Sequence, residues 1–162
     1  MSKQPELHLF CGKMAAGKST LALELSQRLN AILIIEDHWL KNLYPEEIID
    51  IPSYTKYSTR LNKIISKHVI NVLATGASVV LDFPANTINQ RNLLKKIIKE
   101  NNVNHTLHYL NASNELCKKQ LKERSKSLRE GTAFTTEEEF DEITKYFQEP
   151  AESEGFNIKE YN

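Results

Sequence analysis

The sequence predicts a single three-layer α/β domain built on a largely parallel sheet. Three observations carry this reading. Strand-like and helix-like segments alternate along the whole chain. The apolar runs Ala31–Ile35 and Ser78–Phe83 are short, continuous and rich in Ile or Val, as in strands covered on both faces. A glycine-bearing loop, Gly12–Ser19, joins the first apolar run to the first amphipathic segment.

Leu7–Cys11 reads as the first strand. Lys18–Leu29 reads as a helix, with Leu21, Leu25 and Leu29 spaced four apart as a core-facing stripe. Ala31–Ile35 is the second strand. Tyr54–Ala74 is a long helix with Leu61, Ile64, Ile65, His68 and Val72 near one face, stopped by Gly76. Ser78–Phe83 is the third strand, ended by Pro84. Thr87–Glu100 is helical, Thr106–Leu110 is a fourth strand, and Ser113 caps a helix running through Leu116 and Leu121. No internal repeat, low-complexity tract or linker interrupts the pattern, so residues 1–162 read as one domain.

Composition narrows the function classes. With 40 % hydrophobic and 26 % charged residues the chain is an ordinary globular one, which excludes disordered, collagen-like and coiled-coil proteins. The 21 Lys+Arg balance 21 Asp+Glu, and the lack of a basic excess disfavours a protein dedicated to coating nucleic acid. Cys11 and Cys117 stand in no metal-ligand spacing, which argues against a disulfide scaffold or zinc site and fits a reducing compartment. The first ten residues lack the apolar stretch of a signal peptide, and no apolar run approaches the ~18 residues of a spanning helix. The expected location is the cytoplasm. Charge is uneven along the chain: residues 91–130 carry 10 Lys/Arg against 4 Glu, and residues 131–162 carry 2 Lys against 9 acids. Either a basic flap meets phosphates, or two solvated helix faces attract one another.

The strongest motif is Gly12-Lys13-Met14-Ala15-Ala16-Gly17-Lys18-Ser19, a full match to G-x-x-x-x-G-K-[ST]. Its glycines let the backbone wrap so that successive N–H groups face phosphate oxygens, and the following helix adds its positive end. Lys18 is a mobile charge for the β- and γ-phosphates, and the Ser19 hydroxyl is a ligand for Mg²⁺. Thr20 assists or simply belongs to the first helical turn. ATP and Mg²⁺ are therefore the expected ligands.

Open parallel sheets bind ligands beyond the carboxyl ends of their strands, where Asp37 and Asp82 fall. Asp37 is read as the base that takes the proton of an incoming hydroxyl, with a helix cap as its alternative role. Asp82 is read as an acid acting on Mg²⁺-bound water. Glu36, placed on the opposite side of an extended strand from Asp37, is the weaker base candidate. Arg124 first, and Arg129 second, are read as cations that a lid at about 122–135 delivers over the transferred phosphoryl group. His38 and Trp39, next to Asp37, together with Arg60 and Arg91, are read as substrate contacts.

This set of residues resembles small P-loop kinases: the polynucleotide 5′-kinases, chloramphenicol phosphotransferases and zeta-toxin-like kinases, often described as AAA-domain ATP-binding proteins. The resemblance is carried by the phosphate loop, Ile35-Glu36-Asp37-His38-Trp39, Leu81-Asp82-Phe83 with Arg91 downstream, and Arg124 with Arg129. The tail, Phe147–Pro150 and Glu154–Asn157, is similar to the end of that group, where a last short strand follows. The resemblance implies a P-loop NTPase fold whose five-stranded, mostly parallel sheet runs in the order 2-3-1-4-5 under a small helical lid. It further implies Asp37 as the base, Lys18 and Ser19 on the triphosphate and Mg²⁺, and Arg124 or Arg129 as the lid arginine. The expected activity is transfer of the γ-phosphate of ATP to a hydroxyl of a small-molecule acceptor. The alternatives are a polynucleotide 5′-hydroxyl kinase, a nucleoside monophosphate kinase, and an ATP-hydrolysing switch with no phosphoryl acceptor. Zero net charge favours the small molecule over a nucleic-acid 5′ end.

Overall fold

The computed structural model describes residues 3–162. Its sheet comprises β1 (Glu6–Cys11), β2 (Ile32–Ile35), β3 (Val79–Pro84), β4 (Asn104–Leu110) and β5 (Ile158–Tyr161). Every pairing is parallel, and the order is β2-β3-β1-β4-β5, the one implied by the resemblance. Six α-helices accompany it among the described residues: α1 (Lys18–Leu29), α2 (Glu36–Leu43), α3 (Ile51–Ala74), α4 (Ile88–Asn101), α5 (Asn114–Ser125) and α6 (Glu137–Thr144). None is long and apolar enough to cross a membrane, among the described residues.

The period of two along β1 divides the core into layers. Leu7, Leu9 and Cys11 share one face with Val79, Leu81 and Leu107, covered by Leu61, Ile65 and Val69 of α3 and Leu94 and Ile98 of α4. Phe10 and Val80 face the other way, onto Ala22 and Leu25 of α1. A third cluster joins Cys117 and Leu121 of α5 to Phe140 of α6.

Four local features differ from the sequence reading, each for a physical reason. β2 is an edge strand, so Ile32 is 48 % exposed instead of covered on both faces. α3 begins at Ile51 because Asp50 and Ser53 form a capping box around Pro52. Its buried stripe is Leu61, Ile65, Val69 and Leu73, which leaves Ile64 and His68 facing solvent. The chain turns helical at Glu36, directly after β2, so strand alternation does not separate Glu36 from Asp37. The acidic tail forms α6, capped by Thr136 and Glu139. Asp141 of α6 pairs with Lys118 of α5 at 2.8 Å, so part of the charge swing is indeed an attraction between two helix faces. Of the lid expected at about 122–135, residues 122–125 are the last turn of α5, and the rest lies in the segment 126–136 between these helices, a chain of turns.

Candidate functional site

Gly12 and Gly17 are required by the path of the phosphate loop. A Cβ on Gly12 would stand 3.0 Å from the Leu110 carbonyl oxygen at the end of β4. Gly17 has φ +101°, a left-handed turn that feeds the chain into α1. No side chain caps α1, so its first amides stay available to an anion. Met14, Ala15 and Ala16 pack on Cys117, Leu121 and Phe140, so α5 and α6 form the outer wall of the loop.

Inside the loop, the half-buried Lys18 ammonium donates to the Gly12 and Lys13 carbonyls, the latter at 2.8 Å. Burial pushes it down to about 8, against the pull of the Asp82 carboxylate. The Ser19 hydroxyl donates to Asp82 Oδ2 at 2.7 Å. Burial pushes the Asp82 carboxyl up, while Ser19 and the Lys18 charge work in the opposite direction. Asn86, whose side chain the sequence reading gave no role, accepts from the Gly12 amide at 2.9 Å through Oδ1. The available signal was its place just past the end of the strand that carries Asp82.

Strand register builds the other wall. Ile35 of β2 pairs with Asp82 of β3, so the next residues, Glu36 and Asp37, emerge beside Asp82. Glu36 is 3 % exposed and accepts from the hydroxyls of Tyr54, at 2.7 Å, and Ser58. Burial pushes its carboxyl up despite these donors. Asp37 is exposed and paired with Lys41 at 2.9 Å, one turn along α2. The Asp37 carboxylate adds to the upward push on Asp82. Trp39 follows on α2, 42 % exposed. Arg124, exposed at the end of α5, lies close enough to lower the Lys18 pKa.

Lys18, Ser19 and Asp82 thus form one group at the phosphate loop, and the paired Ile35–Asp82 position brings the start of α2 alongside it. Thr20 is exposed in the first turn of α1. Arg60 lies with its guanidinium 5.3 Å over the Tyr57 ring, and Arg129 is exposed among the turns after α5. Arg91 is placed differently from the expected substrate contact. It is fully buried, donating to Glu154 at 2.8 Å, to the Ala85 carbonyl at 2.9 Å and to the Glu149 carbonyl at 3.2 Å. Its guanidinium is committed to the tail, to the Ala85 carbonyl just after β3 and to Cys11 Sγ at 3.9 Å, which corrects the sequence reading.

No group of three or more His, Cys, Asp or Glu could hold a metal ion among the described residues. Mg²⁺ does not need such a cage, since it binds through one or two protein oxygens, water and substrate phosphates. A buried carboxylate beside the Ser19 hydroxyl fits that requirement.

Residues 7–150 match the AAA domain family. The chain belongs to this family. A tRNA dimethylallyltransferase from Synechocystis is 48 % identical over 46 residues, 28 % of this chain and only 14 % of that protein's length. Among solved structures, that of APE1195 has a TM-score of 0.71 at 20 % identity, over 100 % of this chain and 87 % of the other. The Mycobacterium tuberculosis APS kinase CysC in complex with AMPPNP and APS has a TM-score of 0.63 at 16 % identity, over 91 % and 84 %. A chain of the Pnkp1/Rnl/Hen1 RNA repair complex has a TM-score of 0.69 at 16 % identity, over 90 % of this chain and 45 % of the other. These likenesses show that the AAA-domain protein has the fold of P-loop kinases.

Proposed function

We propose that this AAA-domain protein is an ATP- and Mg²⁺-dependent phosphotransferase that moves the γ-phosphate to a hydroxyl of a small-molecule acceptor. The observation that carries the reading is the register between Ile35 and Asp82, which sets acidic side chains beside the Lys18–Ser19–Asp82 group. Lys18 exchanges its two loop carbonyls for phosphate oxygens of ATP. Ser19 and Asp82 would hold Mg²⁺, which neutralises charge on the β- and γ-phosphates. Asp37 takes the acceptor's hydroxyl proton as the new O–P bond forms. The bond from the γ-phosphorus to the bridging oxygen breaks, and its electron pair leaves with ADP. Arg124 first, Arg129 second, offset the charge on the transferred group. His38, Trp39 and Arg60 line the acceptor side. A balanced net charge supports a small acceptor over a polyanion.

The test is transfer of label from [γ-³²P]ATP into a pool of a 5′-hydroxyl oligonucleotide, nucleosides, nucleoside monophosphates and a metabolite extract. Asp37→Asn is run alongside. A labelled small molecule made by the wild type and lost in the variant is the expected result. Label on the oligonucleotide alone would move the acceptor class to nucleic-acid ends. Free phosphate alone, formed equally by both proteins, would replace the transferase with an ATP-hydrolysing switch.

A further inference from the structure

Phe134 has φ +61°, a left-handed conformation that a bulky side chain adopts only under compulsion. The compulsion comes from Glu139 of α6. Its carboxylate accepts from the backbone amides of Phe134 at 2.6 Å, Thr135 at 3.2 Å and Thr136 at 3.3 Å. The Ser125 hydroxyl donates to the Thr135 carbonyl at 3.2 Å, closing the base of the turn segment. Held in this way, the Phe134 ring meets the Tyr54 ring edge to face, with centroids 5.9 Å apart. The Tyr54 hydroxyl in turn donates to buried Glu36 at the end of β2.

The same helix touches the nucleotide side. Phe140, next to Glu139 on α6, packs with Cys117 and Leu121 against Met14, Ala15 and Ala16 of the phosphate loop. A continuous series of contacts therefore runs from the phosphate loop through α6 and Phe134 to Tyr54 and Glu36, without passing through the sheet. Such a series is the physical means by which the state of one side of a cleft can bias the other.

We propose that Tyr54 is a positioning residue that fixes the Glu36 carboxylate according to the state of the nucleotide side, and that Phe134 is the contact through which that state reaches it. This rests on the reading of the cleft as a phosphotransferase site with its acceptor at the end of β2. Left-handed strain at a bulky residue is retained where its side chain must be aimed, and here it is aimed at the one ring that holds Glu36.

Hydrogen exchange with and without AMPPNP and Mg²⁺ tests this in wild type, Phe134→Gly and Phe134→Tyr. Glycine accepts the left-handed backbone, so the first variant removes the ring without adding strain. In wild type, AMPPNP is expected to protect both residues 12–19 and the start of α3, residues 51–58. In Phe134→Gly the protection of 12–19 stays while that of 51–58 falls about fivefold or more. Phe134→Tyr, which keeps a ring, retains both. As a second readout, Tyr54→Phe keeps the ring contact but removes the donor to Glu36. It is expected to raise the pKa of the Glu36 side-chain carboxyl further, read by ¹³C NMR titration of that group, and an unchanged Glu36 titration would overturn the positioning role. Protection of 12–19 without any at 51–58 in wild type, or full protection of 51–58 in Phe134→Gly, would overturn the inference and leave the nucleotide site standing. No protection of 12–19 in wild type would remove the nucleotide site and this inference together.

Discussion

The Ser19 hydroxyl donates to the Asp82 carboxylate across 2.7 Å, joining the first turn of α1 to β3 over 63 positions of sequence. Burial raises the Asp82 pKa, so a cation beside it relieves an unfavourable charge. Asp82→Asn retains an acceptor for Ser19 and the shape of the site but withdraws that charge. The variant is expected to lose about 10- to 100-fold of Mg²⁺-supported ATP affinity. Its ATP affinity in EDTA is expected to stay near wild type. Calorimetric titrations in the two buffers measure the difference, and equal losses in both would remove Asp82 from the metal's surroundings.

Lys18 gives nucleotide binding a defined pH dependence. Its folded-state pKa of about 8 lies below the ordinary lysine value, so above pH 8 the free protein holds it neutral. Phosphate oxygens favour the charged ammonium, so binding takes up a proton there. ATP affinity is expected to be level below pH 8 and to fall as pH rises through it, by up to about tenfold per unit. Lys18→Ala is expected to bind weakly at every pH and to lack this slope. The sign for stability is opposite: the unfolded chain holds more protons between about 8 and the ordinary lysine pKa, so stability without nucleotide rises across that window.

Asp37 and Glu36 are neighbours with different surroundings, one exposed beside Lys41 and the other buried beneath two hydroxyl donors. Asp37→Asn is expected to lower turnover by roughly 10²–10⁴ and to leave ATP affinity near wild type. Glu36→Gln keeps volume and acceptor capacity and is expected to cost much less. Single-turnover transfer with each variant distinguishes them. A larger loss in Glu36→Gln would assign proton removal to the buried carboxylate.

What was legible in the sequence was local. The phosphate loop lies within eight consecutive residues, and the strand–helix alternation repeats within short windows. α2 was only partly legible: Asp37 was weighed as a helix cap, but the N-cap is Ile35, whose side chain makes no capping hydrogen bond, and the acids Glu36 and Asp37 fill the first turn. The role of Arg91 was not legible, since its partner Glu154 lies 63 positions downstream. An arginine in the first turn of a helix beyond a strand end looks the same whether it faces a substrate or a buried carboxylate. Tyr54 and Glu36 pose the same difficulty over 18 positions. Edge placement decides the exposure of Ile32, and edge placement follows from the pairing of all five strands.

The Arg91–Glu154 pair gives a stability prediction with little catalytic consequence. Removing one member of a buried pair strands the other, at a cost of about 3–5 kcal/mol. Glu154→Ala leaves the fully buried guanidinium without its carboxylate, so a large drop in melting temperature is expected. ATP affinity of the remaining folded protein should change by less than about threefold, because the hydrogen bonds of Glu154 go to Arg91 and Ala151 and none to the phosphate loop. A selective loss of binding with unchanged melting temperature would return Arg91 to the site.

His8 and His108 form a buried pair whose titration should set part of the acid stability. His8 Nδ1 lies 2.9 Å from His108 Nε2, and His108 Nδ1 lies 2.8 Å from the Tyr161 hydroxyl, linking β1, β4 and β5. Glu6, at 3.7 Å from His8, is the nearest carboxylate, and the charges of Lys3, Arg28 and Lys159 also reach the pair. Burial lowers both imidazoles, His108 to about 4. The unfolded chain therefore takes up protons first as pH falls. The associated stability is complete above the ordinary histidine value of 6.5 and is lost between there and about 4. For His108 alone this amounts to at most about 3 kcal/mol. His108→Phe keeps a ring on Phe10 but leaves His8 and Tyr161 without their partner, so it is expected to be less stable at pH 7. Its stability should nonetheless change less steeply between pH 6.5 and 4.5 than that of the wild type. Denaturant unfolding at several pH values gives both slopes, and equal slopes would assign the acid sensitivity to the carboxylates instead.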